Sequence, residues 1–318
     1  LHLISLYAAQ CGKKPVILAG RNAHKAFVNA CALLDIGIEW IYPDDEQSYI
    51  ACNITAQQIS ERLAGQNGRI TAVYITSPDY LGNMQDIAAI ARACHESGAL
   101  LSVDNAHGAY LKFMPTPAHP MDLGADICCD SAHKTLGVIT GGAYLHISVS
   151  APAVLAERAK ASFSVFGTSS PSYLILQSLD AANGTKEAFR NELRTFLPEA
   201  DTLKAKLAAH GFELAGSEAL KLTLKPKSFG YSGQDIAATL EAANIYPEFY
   251  DPDYIVLMLS PRHSERELDA LCDTLCSLPR RAPIVSAPPR MPRPERAISP
   301  RKALLAAAEK VPLPRCLG

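Results

Sequence analysis

An excess of charge of either sign is missing from this chain. Among 318 residues, 30 Lys and Arg stand against 32 Asp and Glu, a net charge of −2. Nothing therefore draws it electrostatically towards nucleic acid or an anionic membrane. Although 48% of the residues are hydrophobic, no apolar run approaches the ~18 residues that suggest a transmembrane helix. A disulfide framework is also lacking. The nine cysteines are odd in number and irregular in spacing, and Cys31, Cys94, Cys128, Cys129, Cys272 and Cys276 sit among apolar neighbours, where a free thiol packs as a small hydrophobe. Cys272 and Cys276 share a helix face at i, i+4, but no paired His or Cys cluster accompanies them, so no metal site is expected. Free thiols fit a reducing, cytoplasmic compartment. There are no internal repeats. These absences leave a soluble globular protein, with neither nucleic acid nor membrane expected as partner.

The chain is long enough to bury a substantial core and to hold more than one structural unit. Its first residues, Leu1 to Tyr7, already read as the middle of a buried helix, so the true start is expected to lie upstream. Short apolar runs at 15–20, 38–42, 70–76, 99–103, 125–129 and 142–147 alternate with helical stretches. That alternation predicts an α/β domain with a mostly parallel central sheet. A long helix over 186–210 contains Pro198 as an expected bend. Beyond 211 the pattern becomes a smaller αβ unit, with strands at 220–224 and 254–259 and helices at 234–243 and 265–277. The segment from 279 is rich in Pro and Arg and reads as an extended arm. The boundaries expected are 1–180 for a major domain, 181–280 for a small C-terminal domain, and 281–318 for the arm and the start of an extension.

Two strand ends carry chemistry. In LLSVDNAHG (100–108) an apolar run ends in Asp104, with His107 three residues on. In ADICCDSAHK (125–134) another run is followed by His133 and Lys134. An acid and an amine at neighbouring strand ends are what pyridoxal phosphate requires: the lysine forms the Schiff base, and the aspartate keeps the pyridine nitrogen protonated so that the ring accepts electrons. Open sheets bind ligands at the carboxyl ends of their strands, which is where both residues fall.

Taken in order, Asp104-Asn105-Ala106-His107-Gly108, Ser131-Ala132-His133-Lys134-Thr135-Leu136 and Thr140-Gly141-Gly142-Ala143-Tyr144-Leu145-His146 resemble the Orn/Lys/Arg decarboxylase family, pyridoxal phosphate enzymes of the aspartate-aminotransferase fold (fold type I). The likeness extends to Arg21-Asn22-Ala23-His24-Lys25, Thr76-Ser77-Pro78, 167–173 and 299–304. It implies a transferase-like major domain and decarboxylation of lysine, arginine or ornithine to an amine, as in polyamine biosynthesis. It also implies an active site shared in at least a homodimer. Residue by residue, Lys134 would carry the cofactor and Asp104 would hold its ring nitrogen. His107 would face the phenolic oxygen, with Ala106 beside the ring, and His24 would stack on the ring. Ser131 and His133 would contact the phosphate, and Thr168, Ser169 and Ser170 would reach a neighbouring subunit's site. His95, His119, His146, His210 and His263 show no partnering pattern and read as structural.

Three departures from the family pattern stand out. Its Gly-Ser/Thr-rich phosphate loop, which precedes the opening helix, is not in the sequence. Asn105 replaces an acidic residue, and Asp79-Tyr80-Leu81 replaces Thr-Tyr-Tyr. The first bears on cofactor affinity and the others on substrate preference. The residues alone indicate pyridoxal phosphate chemistry, which also serves aminotransferases, aldolases and desulfurases. A truncated homologue without catalysis is a further alternative.

Overall fold

The structure is a computed structural model describing residues 1–43, 50–168, 170–286 and 295–312. After α1 (His2–Gln10) the chain alternates β1 (Val16–Gly20), α2 (Lys25–Leu34), β2 (Gly37–Ile41), α3 (Ala56–Leu63), β3 (Ala72–Thr76), α4 (Ile87–Glu96) and β4 (Leu100–Asp104). Next come β5 (Ile127–Asp130), the single turn α5 (Ala132–Thr135) and β6 (Tyr144–Ile147). These strands form one six-stranded sheet in the order β2-β1-β3-β4-β5-β6. All neighbours are parallel except β6, which runs antiparallel to β5. The link between β5 and β6 holds only one helical turn, too little for the crossover that a parallel partner needs.

Strand side chains alternate across the sheet. Leu18, Val73 and Leu101 face the layer of α3 and α4, packing with Ile59 and Ile90. Their neighbours Ile17, Ala72 and Leu100 face the opposite layer, packing with Ile4, Phe27 and Leu155. Burial on both faces explains why these strands read as unbroken apolar runs. The start of α3 is set by a capping box between Thr55 and Gln58, which satisfies two amides that the helix itself leaves open.

Helices α6 (Ala153–Phe166), α7 (Tyr173–Gly184) and α8 (Lys186–His210) lead out of this layer. Pro198 lies inside α8, which continues through it. The second sheet is four-stranded, ordered β7 (Glu213–Ala215), β8 (Lys221–Lys225), β10 (Ile255–Met258) and β9 (Phe249–Tyr250), with every pairing antiparallel. It packs with α8, α9 (Gly233–Ala242) and α10 (Glu265–Cys276) around Leu193, Phe196, Phe229, Leu240 and Leu275. The edge strands β7 and β9, three and two residues long, were not expected; such short pieces show no period. The tail does not simply extend. Its described part includes α11 (Pro300–Leu305), where Arg301 donates to the carbonyls of Ala32 and Leu33 at the end of α2.

Strand β8 is stitched to the loop that follows β3. Lys221, 1% exposed at its side chain, donates to the Asp79 carbonyl (2.9 Å) and pairs with Glu218, itself fully buried (3.2 Å). Two residues on, Thr223 donates its hydroxyl to the Leu81 carbonyl (2.9 Å). Burial raises the Glu218 pKa against the pull of Lys221.

Candidate active site

Strands β3, β4 and β5 end side by side, with Thr76 opposite Asp104 and Asp104 opposite Cys129. Two further ladder bonds hold the departing chain: the Ser77 amide to the Asp104 carbonyl (3.0 Å), and the Asn105 amide to the Cys129 carbonyl (3.0 Å). The Asp104 carboxylate is half-buried. One oxygen accepts the Ala106 amide (3.2 Å) and the other the Tyr74 hydroxyl (2.7 Å). Burial, then the charge of Asp104, pushes the Tyr74 pKa well above its ordinary value, so it remains a donor. A tight turn follows, closed by the Gly108 amide on the Asn105 carbonyl (2.8 Å). A Cβ at Gly108 would come within 2.0 Å of Asn105 Oδ1; glycine is what lets this turn close and bring His107 back to the strand ends.

Lys134 sits on α5, in a helical turn and not in a loop. Its Nζ lies 2.9 Å from His107 Nε2. His107 is 5% exposed, and burial, followed by the positive charges of Lys221, Lys134 and His133, lowers its pKa to about 2. The ring is therefore neutral and accepts from Lys134 at Nε2. Its proton then sits on Nδ1, a buried atom without a partner. The lysine side of the pair corrects the expectation of a buried amine, because Lys134 is exposed. Its pKa is still lowered by partial burial, against the opposing charges of Asp104 and Glu248.

The other residues singled out from the sequence fall as follows. His24 is exposed and caps α2, its Nδ1 accepting from the Ala26 amide (3.2 Å). Ser131 is the N-terminal flanking residue of α5, and its carbonyl accepts the Lys134 amide (3.0 Å). His133 donates from Nδ1 to the Gly142 carbonyl (2.9 Å). Thr168 and Ser170 are exposed, and the Ser170 amide bonds the Thr168 hydroxyl (3.1 Å); no hydrogen bond joins either to Lys134 or His107. Ser169 lies outside the described residues.

A cavity of about 470 Å³ opens between α1, α2, α6 and the sheet. Asp104 and Tyr74 form part of its polar wall, while Phe27, Val103 and Phe163 line the apolar part. Cys129, expected in the core, is exposed and opens onto this cavity. Buried polar atoms without partners lie at and just beyond the carboxyl ends of β3 and β4 and on α5: Thr76 Oγ1, Asn105 Oδ1, His107 Nδ1 and Thr135 Oγ1. Such atoms are rare unless a ligand or water completes them.

Sequence reading missed what lies beneath. Asp130, 3% exposed, receives His119 (3.0 Å) and His146 (2.9 Å) on one oxygen, and Asn105 Nδ2 (2.7 Å) and Cys128 Sγ (3.4 Å) on the other. Both histidines had read as unpartnered. One signal existed: His146 opposes Cys128 across the β5–β6 pair, two residues from Asp130, but that register requires the antiparallel direction of β6. His119, Cys128 and Asp130 could bring ligand atoms to a metal, since these lie within 4.8 Å of one another. The tautomer argues against it. His119 Nδ1 accepts the Met121 amide (3.3 Å), so Nε2 carries the proton and donates to Asp130.

Burial alone would raise the Asp130 pKa, but the bonds from His119, His146 and Asn105 outweigh it and hold the carboxylate well below its usual range. The stability this contributes is fully present above the unfolded value of about 3.9 and is lost as pH falls towards the lower folded value. Asp130→Asn should therefore flatten the acid limb of a stability–pH profile below about pH 4, read from urea midpoints. His107 acts higher: its unfolded form protonates near 6.5 and its folded form at about 2, so stability declines across that window in both proteins. At neutral pH, Asp130→Ala should cost several kcal/mol, because the donors of His119, Asn105 and Cys128 lose their acceptor and each buried donor left unsatisfied costs about 1–3 kcal/mol.

Known proteins were compared with this arrangement. A sequence model described as "Orn/Lys/Arg decarboxylase, major domain" matches residues 3–226. The chain is 31% identical over 279 residues to a Bacillus subtilis (strain 168) protein called "Uncharacterized protein YaaO", covering 84% of this chain and 57% of that one. It is 27% identical over 343 residues to the arginine decarboxylase of the same organism, covering 99% of this chain and 68% of that one. Its fold is similar to the lysine decarboxylase LdcF of Francisella novicida, with a TM-score of 0.69 and 18% identity, over 86% of this chain and 46% of that one. The chain thus spans 57% and 68% of the two curated relatives' lengths. The α/β fold expected from the sequence, a transferase-like major domain with a smaller C-terminal αβ unit, is the one observed.

Proposed function

Because this chain belongs to the Orn/Lys/Arg decarboxylase family, we propose that it decarboxylates lysine, arginine or ornithine with the help of pyridoxal phosphate. The observation that carries the reading is the 2.9 Å approach of Lys134 Nζ to His107 Nε2, beside a strand that ends in Asp104. The residues present fit the cofactor. An amine and an acid stand at strand ends where buried polar atoms, His107 Nδ1 and Asn105 Oδ1 among them, have no partner; the cavity reaches Asp104 but is not lined by Lys134 or His107.

Pyridoxal phosphate, when bound, supplies the electron-poor ring that takes up the electron pair released as carbon dioxide departs. Lys134 is the amine that would hold it covalently, and its lowered pKa favours the neutral form that such attachment needs. Asp104 would keep a proton on the ring nitrogen, and Tyr74 orients that carboxylate. Neutral His107 accepts from Lys134 and leaves Nδ1–H free to donate to an oxygen of the ligand. We assign Ser131, His133, Ser169 and Ser170 to the phosphate, His24 to the face of the ring and Ala106 to its edge.

A homodimer is part of this reading. Phe163, Phe166, Tyr173 and Leu174 on α6 and α7 are between 52% and 85% exposed, and apolar surface of this kind favours a partner. We take 1–180 as the cofactor domain, 181–280 as the small domain and 281–318 as the arm. We place the protein in the reducing cytoplasm, where cysteines such as Cys31 and Cys94, free and buried here, remain thiols. The test is release of labelled carbon dioxide from carboxyl-labelled lysine, arginine and ornithine by the cofactor-loaded protein. Release from one of them is expected; formation of a keto acid with no gas would overturn the proposal.

A further inference from the structure

Tyr80 links the Lys134 group to a carboxylate on the second sheet. Its ring meets His107 edge-on, with centroids 5.5 Å apart and planes at 89°, and His107 in turn touches Lys134. The Tyr80 hydroxyl donates to Glu248 at 3.2 Å. The next residue, Phe249, packs edge-on against the same ring at 5.3 Å. Both ends of the link are held. Asp79 fastens the Tyr80 loop by accepting the amides of Leu81 and Asn83 (2.9 Å each) and the Asn83 side chain (2.8 Å). Glu248 is tied through its own amide to the Val256 carbonyl (2.9 Å).

The charges around this link differ in availability. Asp104 already receives Tyr74 and the Ala106 amide. Lys221, 5.9 Å from the Tyr80 ring, is paired with buried Glu218. Glu248 is exposed, and among the described residues no lysine or arginine forms an ion pair with it. Its charge nevertheless reaches Lys134. A negative group hydrogen-bonded by Tyr80, open to solvent and joined to the Lys134 group through the Tyr80 and His107 rings suits a cation at the far end of an extended substrate.

We propose that Glu248, positioned by Tyr80, binds the distal ammonium or guanidinium group of the substrate and so selects basic amino acids. This rests on the decarboxylase reading for its substrate class, but the chemistry it requires is only cation recognition. A charged hydrogen bond of this kind corresponds to about tenfold or more in affinity. In the cofactor-loaded protein, Glu248→Gln should raise KM for the preferred basic amino acid by about that factor, with kcat within about threefold. The inhibition constant of norleucine, which lacks the distal charge, should not move. Calorimetric titration with 1,5-diaminopentane, which needs no turnover, should show the same loss. Tyr80→Phe, which releases the carboxylate but keeps its charge, should weaken the diamine less. Unchanged KM and unchanged diamine affinity in Glu248→Gln would overturn the assignment, leaving the Tyr80 contact as a strut between sheets. Should the unsubstituted protein release carbon dioxide from no basic amino acid, the decarboxylase reading fails; a loss of diamine affinity in Glu248→Gln would still support cation binding at this carboxylate.

Discussion

Lys134→Ala should yield a folded protein that no longer captures pyridoxal phosphate covalently. Borohydride reduction followed by peptide mass mapping should find the pyridoxyl group on Lys134 in the unsubstituted protein and on no residue in the variant. Removal of a covalent nucleophile costs several orders of magnitude in other enzymes, so kcat should fall by at least ~10³-fold. The fold should tolerate the change because Lys134 is exposed. The main structural loss is one partner of the buried His107 ring, roughly 1–3 kcal/mol if Nε2 is left unsatisfied. A pyridoxyl group on another lysine, with decarboxylation retained, would remove Lys134 from the reaction.

Asp104→Asn separates charge from shape. Asparagine keeps one acceptor oxygen, enough for the Ala106 amide or the Tyr74 hydroxyl but not both; the turn is closed by the Gly108 amide on the Asn105 carbonyl, which the substitution does not touch, so it should survive. What disappears is the negative charge that would hold a proton on the ring nitrogen. A loss of about 10²–10⁴ in kcat is expected from removing such a proton-holding group, with cofactor still attached to Lys134. A second readout follows from the same charge. Asp104 raises the Lys134 pKa, opposing the effect of burial. Without it the amine should deprotonate at lower pH, and the pH profile of cofactor capture should shift down. An unchanged profile together with unchanged kcat would show that Asp104 serves only the turn.

Much of this was legible in the amino-acid order because parallel strands with two buried faces leave continuous apolar runs. Asp104 could be placed at a strand end from that rule, and Lys134 just beyond another. The resemblance to a known family then supplied roles that no periodicity could. What escaped was whatever depends on the direction or proximity of distant segments. The Asp130 cluster joins residues from β5, from the loop before it and from β6; its logic appears only when β6 is seen to run backwards. Glu248 sits before a two-residue strand that has no detectable pattern, and it meets Tyr80 across 168 positions. The exposure of Lys134 and the opening of Cys129 to a cavity were likewise unreadable, since local polarity does not report on how layers of helix cover a sheet. Ser169, read as a phosphate contact, lies outside the described residues and keeps its role as a proposal.

The seam between the two sheets has a consequence for how the molecule comes apart. Pulling β8 away from the loop after β3 would strand Lys221 without its carbonyl acceptor and leave Glu218 with a cation half exposed to water. Breaking into a buried charge pair from one side is costly, so neither sheet can melt cheaply while the other persists. Heat or denaturant should meet them as a single cooperative block. The tyrosine loop lying across that seam then inherits the rigidity of the whole, and its register with the reacting lysine is maintained without a hinge of its own.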